Sequence, residues 1–173
     1  MRNARIALVA LIAVVALITL FVRVPLPSRG YLNIGDVAVV FAGLVLGDIL
    51  RDEGRLLGTA YGAAAGGIGS ALADIVGGYA MFAPITLVAK GLEGACAGFA
   101  AGRDELVMHY LWLIVGGALM VATYFLAEWA MPSIGLQGAL SEIPANLIQA
   151  LSGVVGGRLT YVAYRRLMVG TEA

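Results

Sequence analysis

Residues 57–77 read LGTAYGAAAGGIGSALADIVG, and this stretch decides what kind of protein the chain is. Its one charged side chain, Asp74, comes near the end. Wound at about 1.5 Å per residue, the stretch makes a helix about 30 Å long, the thickness of the hydrocarbon core of a bilayer. Gly58, Gly62, Gly66 and Ser70 recur every four residues and so form one row along it. In water, a helix this rich in glycine is a poor one. In lipid, helices associate by close backbone approach rather than by hiding apolar surface, and a row of small residues is the seam that permits it.

Working outward, the same logic recurs. Gly94 and Gly98 continue to Gly102 with the same spacing, and Gly153 and Gly157 follow Asn146 and Gln149 along one face. Small-residue rows serve packing within a bundle or a seam for a separate membrane partner. Six apolar segments are predicted, at residues 4–22, 36–50, 57–77, 83–102, 106–130 and 143–167, separated by proline, glycine or charged breaks. The 173 residues are 61% hydrophobic and 13% charged, with a mean hydropathy of +0.92, more apolar surface than a soluble fold of this size hides. The expectation is an all-α integral membrane protein, a compact six-transmembrane-helix bundle forming one membrane domain over residues 1–173.

The 11 basic and 11 acidic residues cancel, which argues against a nucleic-acid partner. Cytoplasmic loops carry excess lysine and arginine. With the N-terminus inside, Arg2, Arg5, Arg51, Arg55, Arg103, Arg165 and Arg166 fall on the inner side, and Arg23 and Arg29 on the outer. Both termini are therefore expected in the cytoplasm. Residues 6–22 follow basic Arg2 and Arg5 as a secretory signal would, but the run is long for one, and Val24-Pro25-Leu26-Pro27 offers no small-x-small cleavage site; retention as a first helix is expected.

The topology gives each polar residue a depth. Asn33 and Asp36 open the second helix; Asp74 lies near the outer end of the third, with Tyr79 in the loop beyond. Thr86, Lys90 and Glu93 occupy the outer half to middle of the fourth, Glu128 the outer end of the fifth, and Glu142, Asn146 and Gln149 open the sixth. A charge at membrane depth costs roughly 2.5–3.5 kcal/mol on insertion scales, so such groups face protein or water. Lys90 and Glu93, three apart, share a face and can pair. One reading makes these residues structural ties between helices. Polar groups from five segments converging in one leaflet fit better an outward-opening cavity for a polar solute.

Other features carry less. Gly66-Gly67-Ile68-Gly69-Ser70 lacks the lysine of a phosphate-binding loop. Ser70 and His109 belong near opposite membrane faces, which disfavours an intramembrane serine protease. Cys96 alone makes no disulfide, and one histidine makes no multi-imidazole metal site. Trp112, Trp129, Tyr161 and Tyr164 suit interfacial anchoring. No enzyme, metal or cofactor is expected.

The run Gly30-Tyr31-Leu32-Asn33-Ile34-Gly35-Asp36 resembles the loop-to-second-helix motif of energy-coupling factor (ECF) transporter S components of the riboflavin-transporter-like group. The likeness continues through Gly67-Ile68-Gly69-Ser70-Ala71-Leu72-Ala73-Asp74, Gly78-Tyr79, Ala83-Pro84, Lys90-Gly91-Leu92-Glu93-Gly94 and Glu142-Ile143-Pro144-Ala145-Asn146-Leu147-Ile148-Gln149. It implies a multi-pass plasma-membrane subunit that binds a water-soluble vitamin or precursor (riboflavin, a pyridoxine-like compound or a thiamine-precursor pyrimidine) on the outer side. It also implies delivery inward with a membrane coupling (T) subunit and two cytoplasmic ATPase subunits. On that basis Asn33 and Asp36 close the first loop over the ligand, Asp74, Lys90, Glu93, Asn146 and Gln149 hydrogen-bond it, and Tyr79 forms an aromatic wall. Two departures stand out. Many members carry Ala-x-x-x-Ala in the first helix for the coupling subunit, whereas here Ala4, Ala7, Ala10, Ala13 and Ala16 recur every three residues, a spacing that drifts about 60° per step. Residues 51–55 are also more charged than the family leads one to expect. A self-sufficient proton-coupled secondary transporter using Lys90 with Glu93 or Asp74, and a non-transporting membrane scaffold, are the rival readings.

Overall fold

The computed structural model describes residues 2–25, 31–103 and 105–170; Leu26, Pro27, Arg29 and Gly30 of the first loop, and Asp104, lie outside the described residues. The chain runs through α1 (Arg2–Phe21), a hairpin of β1 (Arg23–Pro25) and β2 (Tyr31–Asn33), α2 (Gly35–Ile49), α3 (Arg55–Val76), α4 (Ala83–Ala100) and α5 (Leu106–Ala130). It ends in α6 (Gly135–Ser152), a π-helical turn (Gly153–Gly157) and α7 (Arg158–Gly170). The fold is all-helical apart from the hairpin, in which Arg23 pairs with Asn33 and Pro25 with Tyr31. Gly54, with φ of +114°, lets the chain turn from α2 into α3, a backbone that L side chains rarely adopt.

Among the described residues, three helices are long and apolar enough to cross a membrane by length and composition: α1, α3 and α5. The other segments depart from the predicted ones for visible reasons. α2 has 15 residues, about 22 Å of rise. α4 carries Lys90 and Glu93 at its centre. The last helix begins at Gly135 rather than near 143 and continues through the π turn into α7. Pro144 lies inside α6, where its missing N–H removes one rung of the ladder.

α3 and α4 form the most extensive helix pair, with α2 laid across both. Their contact is backbone to backbone. A methyl on Gly62 would strike the Gly94 carbonyl, one on Gly66 would lie 2.5 Å from the Lys90 carbonyl, and Gly98 faces the Gly58 carbonyl. α2 joins through Gly43, whose Cβ would meet Ala97 at 2.6 Å, and through Gly47, which abuts Gly58. α1 packs on α3 and α2, α5 on α4 and α6, and the π turn on α2. The α1 alanines wind round the helix as their spacing dictates: Ala4 is buried, Ala7 half-buried, and Ala10 exposed.

Polarity is inside out. Phe21, Val107, Leu151 and Leu159 are among many large apolar side chains left open to the surroundings, while Asp36, Asp74, Lys90, Glu93, Glu128 and Glu142 are buried. In water so continuous an apolar exterior would aggregate; in lipid it is the expected outer surface.

Candidate solute-binding site

The site is organised by one lysine. Lys90, on α4 and 2% exposed, places Nζ 2.6 Å from Oδ1 of Asp36 and 3.6 Å from Oε2 of Glu93. Asp36 stands in the first turn of α2, where the helix dipole favours an anion. Its second oxygen accepts from Nε2 of Gln149 at 3.4 Å, and Oε1 of Gln149 accepts the backbone N–H of Asn33 at 3.2 Å. Asn33 folds its own Oδ1 onto the Gly35 N–H at 2.5 Å, an Asx turn that leads β2 into α2. Gly35 is required there, because a Cβ would collide with Thr19 and lie 2.6 Å from Asn33 Oδ1. The π turn matters at the same spot: a side chain on Gly153 would come within 2.9 Å of Glu93 and 3.1 Å of Asp36. α2, α4 and the last helix thus close over an ion cluster whose partners make its burial tolerable.

Above this cluster is a small cavity of about 30 Å³, room for one or two waters. Its walls come from α1 (Thr19), the hairpin (Tyr31, Asn33), α3 (Ser70, Asp74), α4 (Thr86, Lys90), α5 (Tyr124, Glu128) and α6 (Glu142, Asn146, Gln149). The hairpin closes one side. The Tyr31 hydroxyl donates to Asp74 Oδ1, and the Tyr31 ring packs against Tyr79, tilted by 58° with centroids 4.7 Å apart. The Arg23 guanidinium lies over both rings at 5.6 and 5.1 Å and donates to the Gly77 carbonyl at 3.2 Å. Burial first, and then the Asp74 carboxylate, push the Tyr31 hydroxyl well above its ordinary pKa, so it stays a donor. On the far wall Tyr124 donates to Thr86 at 2.9 Å.

Several buried polar atoms around this cavity have no protein partner: Thr19 Oγ1, Ser70 Oγ, Asp74 Oδ2 and Glu128 Oε2. Each such atom costs roughly 1–3 kcal/mol if left dry, so the arrangement asks for something polar between them. Two of them are carboxyl oxygens and two are hydroxyls, which donate or accept, while the Lys90 ammonium is already engaged.

The sequence-predicted residues fall into two layers. Asn33, Asp74, Lys90, Asn146 and Gln149 line the cavity. Asp36 and Glu93 lie beneath it as counter-charges to Lys90, and Tyr79 stands behind Tyr31 rather than against the cavity. Thr19, Ser70, Tyr31 and Tyr124 also line it, and the sequence reading did not single them out as ligand contacts. Thr19 carried one usable signal, as a hydroxyl on the buried stripe of an otherwise aliphatic helix.

A helical membrane protein whose ionisable groups are gathered round one enclosed polar cavity, with an apolar exterior, is built to hold a small solute within the bilayer. The chain belongs to the ECF-type riboflavin transporter S-component family, which it matches over residues 53–166. It is also 36% identical over 152 residues to a Pyrococcus woesei protein described as an uncharacterized protein in gap 3'region, covering 86% of this chain and 93% of that one. The chain is thus the vitamin-binding S subunit of an ECF-type importer in the plasma membrane, neither an enzyme nor a proton-coupled secondary transporter. The family match starts at Glu53, so α1, the hairpin and α2 lie before it.

Proposed function

We propose that the cavity beneath the β1–β2 hairpin is where a small water-soluble vitamin or precursor is held, with Asn33, Asp74, Lys90, Asn146 and Gln149 as contacts. Asp36 and Glu93 fix Lys90 from below, and Tyr79 braces the Tyr31 wall. The observation that carries this reading is the set of unpartnered buried oxygens on Thr19, Ser70, Asp74 and Glu128 around one cavity. Two carboxyl oxygens beside two hydroxyls, with the Lys90 charge already engaged, favour a neutral or cationic ligand bearing N–H and O–H groups over an anionic one. Riboflavin, a pyridoxine-like compound and a thiamine-precursor pyrimidine all meet that description. Small-molecule pockets enclose roughly 300–1,000 Å³, so the ligand enters only as the hairpin and neighbouring helices move apart.

In this reading the six helical segments span the bilayer with both termini cytoplasmic, supported by the arginine asymmetry. The cavity then faces outward, and delivery inward uses a membrane coupling (T) subunit and two cytoplasmic ATPase subunits. Two experiments test the assignment. Mass spectrometry of the small molecule that co-purifies with the protein identifies the ligand, and calorimetric titration of that ligand into Asn146→Ala and Asp74→Asn should show affinity lowered about tenfold or more. Unchanged affinity in both variants removes the site. No ligand-dependent thermal shift with any vitamin would leave the scaffold reading in place.

A further inference from the structure

The opposite end of the bundle carries a second cleft, of about 310 Å³, that the vitamin site does not use. Arg51, Arg103, Arg158, Arg165 and Arg166 line it together with His109. Among the described residues that line it, the one carboxylate, Asp48, is taken by Arg165. Arg51 leans toward Asp52 at 3.6 Å, but that pair is mostly exposed and weakly coupled. Among the described residues, the cleft therefore holds several guanidinium groups with little to neutralise them, Arg51 being the one residue of 51–55 that lines it.

This is a built site rather than a loose surface patch. The Arg103 guanidinium stacks over Phe99 at 4.7 Å and Trp112 at 5.8 Å, and its Nε donates to the Phe99 carbonyl at 3.4 Å. Arg158 lies 6.0 Å from the ring centres of both Tyr110 and Tyr161, and its Nε is buried without a partner. His109 is 4% exposed; its Nδ1 contacts the Ala100 carbonyl at 3.2 Å, an atom that only accepts, so Nδ1 carries hydrogen. That bond fixes the ring, and Nε2 is left buried with no partner. Aromatic faces thus hold two arginines in advance, while Nε2 of His109, unprotonated in this tautomer, accepts and offers no donor to a phosphate oxygen.

We infer that this cleft binds an anionic phosphate, one whose charge no ammonium on the same headgroup offsets. Planar guanidinium forks match phosphate oxygens two at a time, which a single ammonium does not. The volume accommodates a phosphodiester headgroup. With the termini cytoplasmic, the cleft opens at the inner leaflet, where anionic phospholipids gather and basic recesses between helices take their headgroups. A lipid headgroup or free phosphate would supply the same chemistry, and the inference does not depend on which vitamin binds at the other end.

The test uses the purified full-length protein in neutral detergent, with phosphatidylglycerol, phosphatidylcholine or inorganic phosphate added separately. Native mass spectrometry should show retained phosphatidylglycerol, with a rise in Tm that phosphatidylcholine does not give. Retention should fall about tenfold or more in Arg103→Gln and Arg158→Gln. Arg166→Gln, at an exposed position, should weaken it too while leaving vitamin affinity unchanged, which separates loss of the cleft from loss of fold. If millimolar inorganic phosphate gives the full protection and phosphatidylglycerol adds nothing, the cleft serves soluble phosphate. The inference is overturned if phosphatidylglycerol and phosphatidylcholine act alike and phosphate has no effect, or if all three variants retain the anionic lipid as the parent does.

Discussion

Replacing Lys90 with methionine tests whether the buried ion cluster holds the bundle together. At an effective dielectric of about 20, the attraction is about 6 kcal/mol for Lys90–Asp36 at 2.6 Å and about 5 kcal/mol for Lys90–Glu93 at 3.6 Å, before desolvation is subtracted. Breaking a buried pair by removing one partner costs about 3–5 kcal/mol, because the survivor is stranded. Lys90→Met strands two carboxylates that also repel each other, so its loss should lie at the top of that range. Asp36→Asn leaves Lys90 with Glu93 and an amide oxygen that still accepts, so it should cost only about 1–2 kcal/mol. The double variant removes the Asp36 charge that Lys90→Met exposes and should be more stable than Lys90→Met alone. Unfolding by sodium dodecyl sulfate in mixed micelles, followed by circular dichroism, measures all three. Additive losses, or three variants within about 0.5 kcal/mol of the parent, would refute the reasoning.

Gly62→Leu should lower thermal stability in detergent by more than the roughly 1–3 kcal/mol of ordinary overpacking, because the obstacle is the Gly94 backbone; thermal denaturation read by size-exclusion chromatography checks it, and a neutral result would mean that this face meets lipid. Tyr31→Phe should change the alkaline limb of stability. The native state holds the Tyr31 proton more tightly than the unfolded chain does, so the parent keeps this contribution below the ordinary pKa of 10.0 and loses it as pH rises beyond. The variant should lack that decline, and parallel slopes from parent and variant between about pH 9 and 11 would contradict the burial of the Tyr31 hydroxyl beside Asp74.

The fold was most legible where the physics is local. Residues 6–22 and 111–122 are long apolar runs without a charge, and the four-residue glycine rhythm of residues 57–77 needs no knowledge of its partner. What was hidden depends on distant pairing. Lys90 and Glu93 read as a pair because they are three apart, yet the shorter contact of Lys90 is to Asp36, 54 positions away. Strands of three residues show no usable alternation, so the hairpin was invisible beyond its prolines and glycine. Ser70 read as one more small residue in the seam of α3, and only the folded chain turns its hydroxyl onto the cavity. The polar set was visible as a group because hydrophilic side chains are conspicuous in apolar sequence; the division into lining residues and supporting counter-charges was not.

The meeting of α2, α3 and α4 through Gly43, Gly47, Gly58, Gly62, Gly94 and Gly98 has a mechanical consequence. Side chains can swing to absorb a displacement, but touching main chains have nothing that yields, so these three helices behave as a keel. If the proposed cavity is the ligand site, the widening that admits a guest falls to the parts hung around it: the hairpin with Tyr31, and the last helix, interrupted at Pro144 and overwide at residues 153–157. A cysteine clamp across α3 and α4 would spare uptake, whereas one pinning the hairpin to α6 would abolish it.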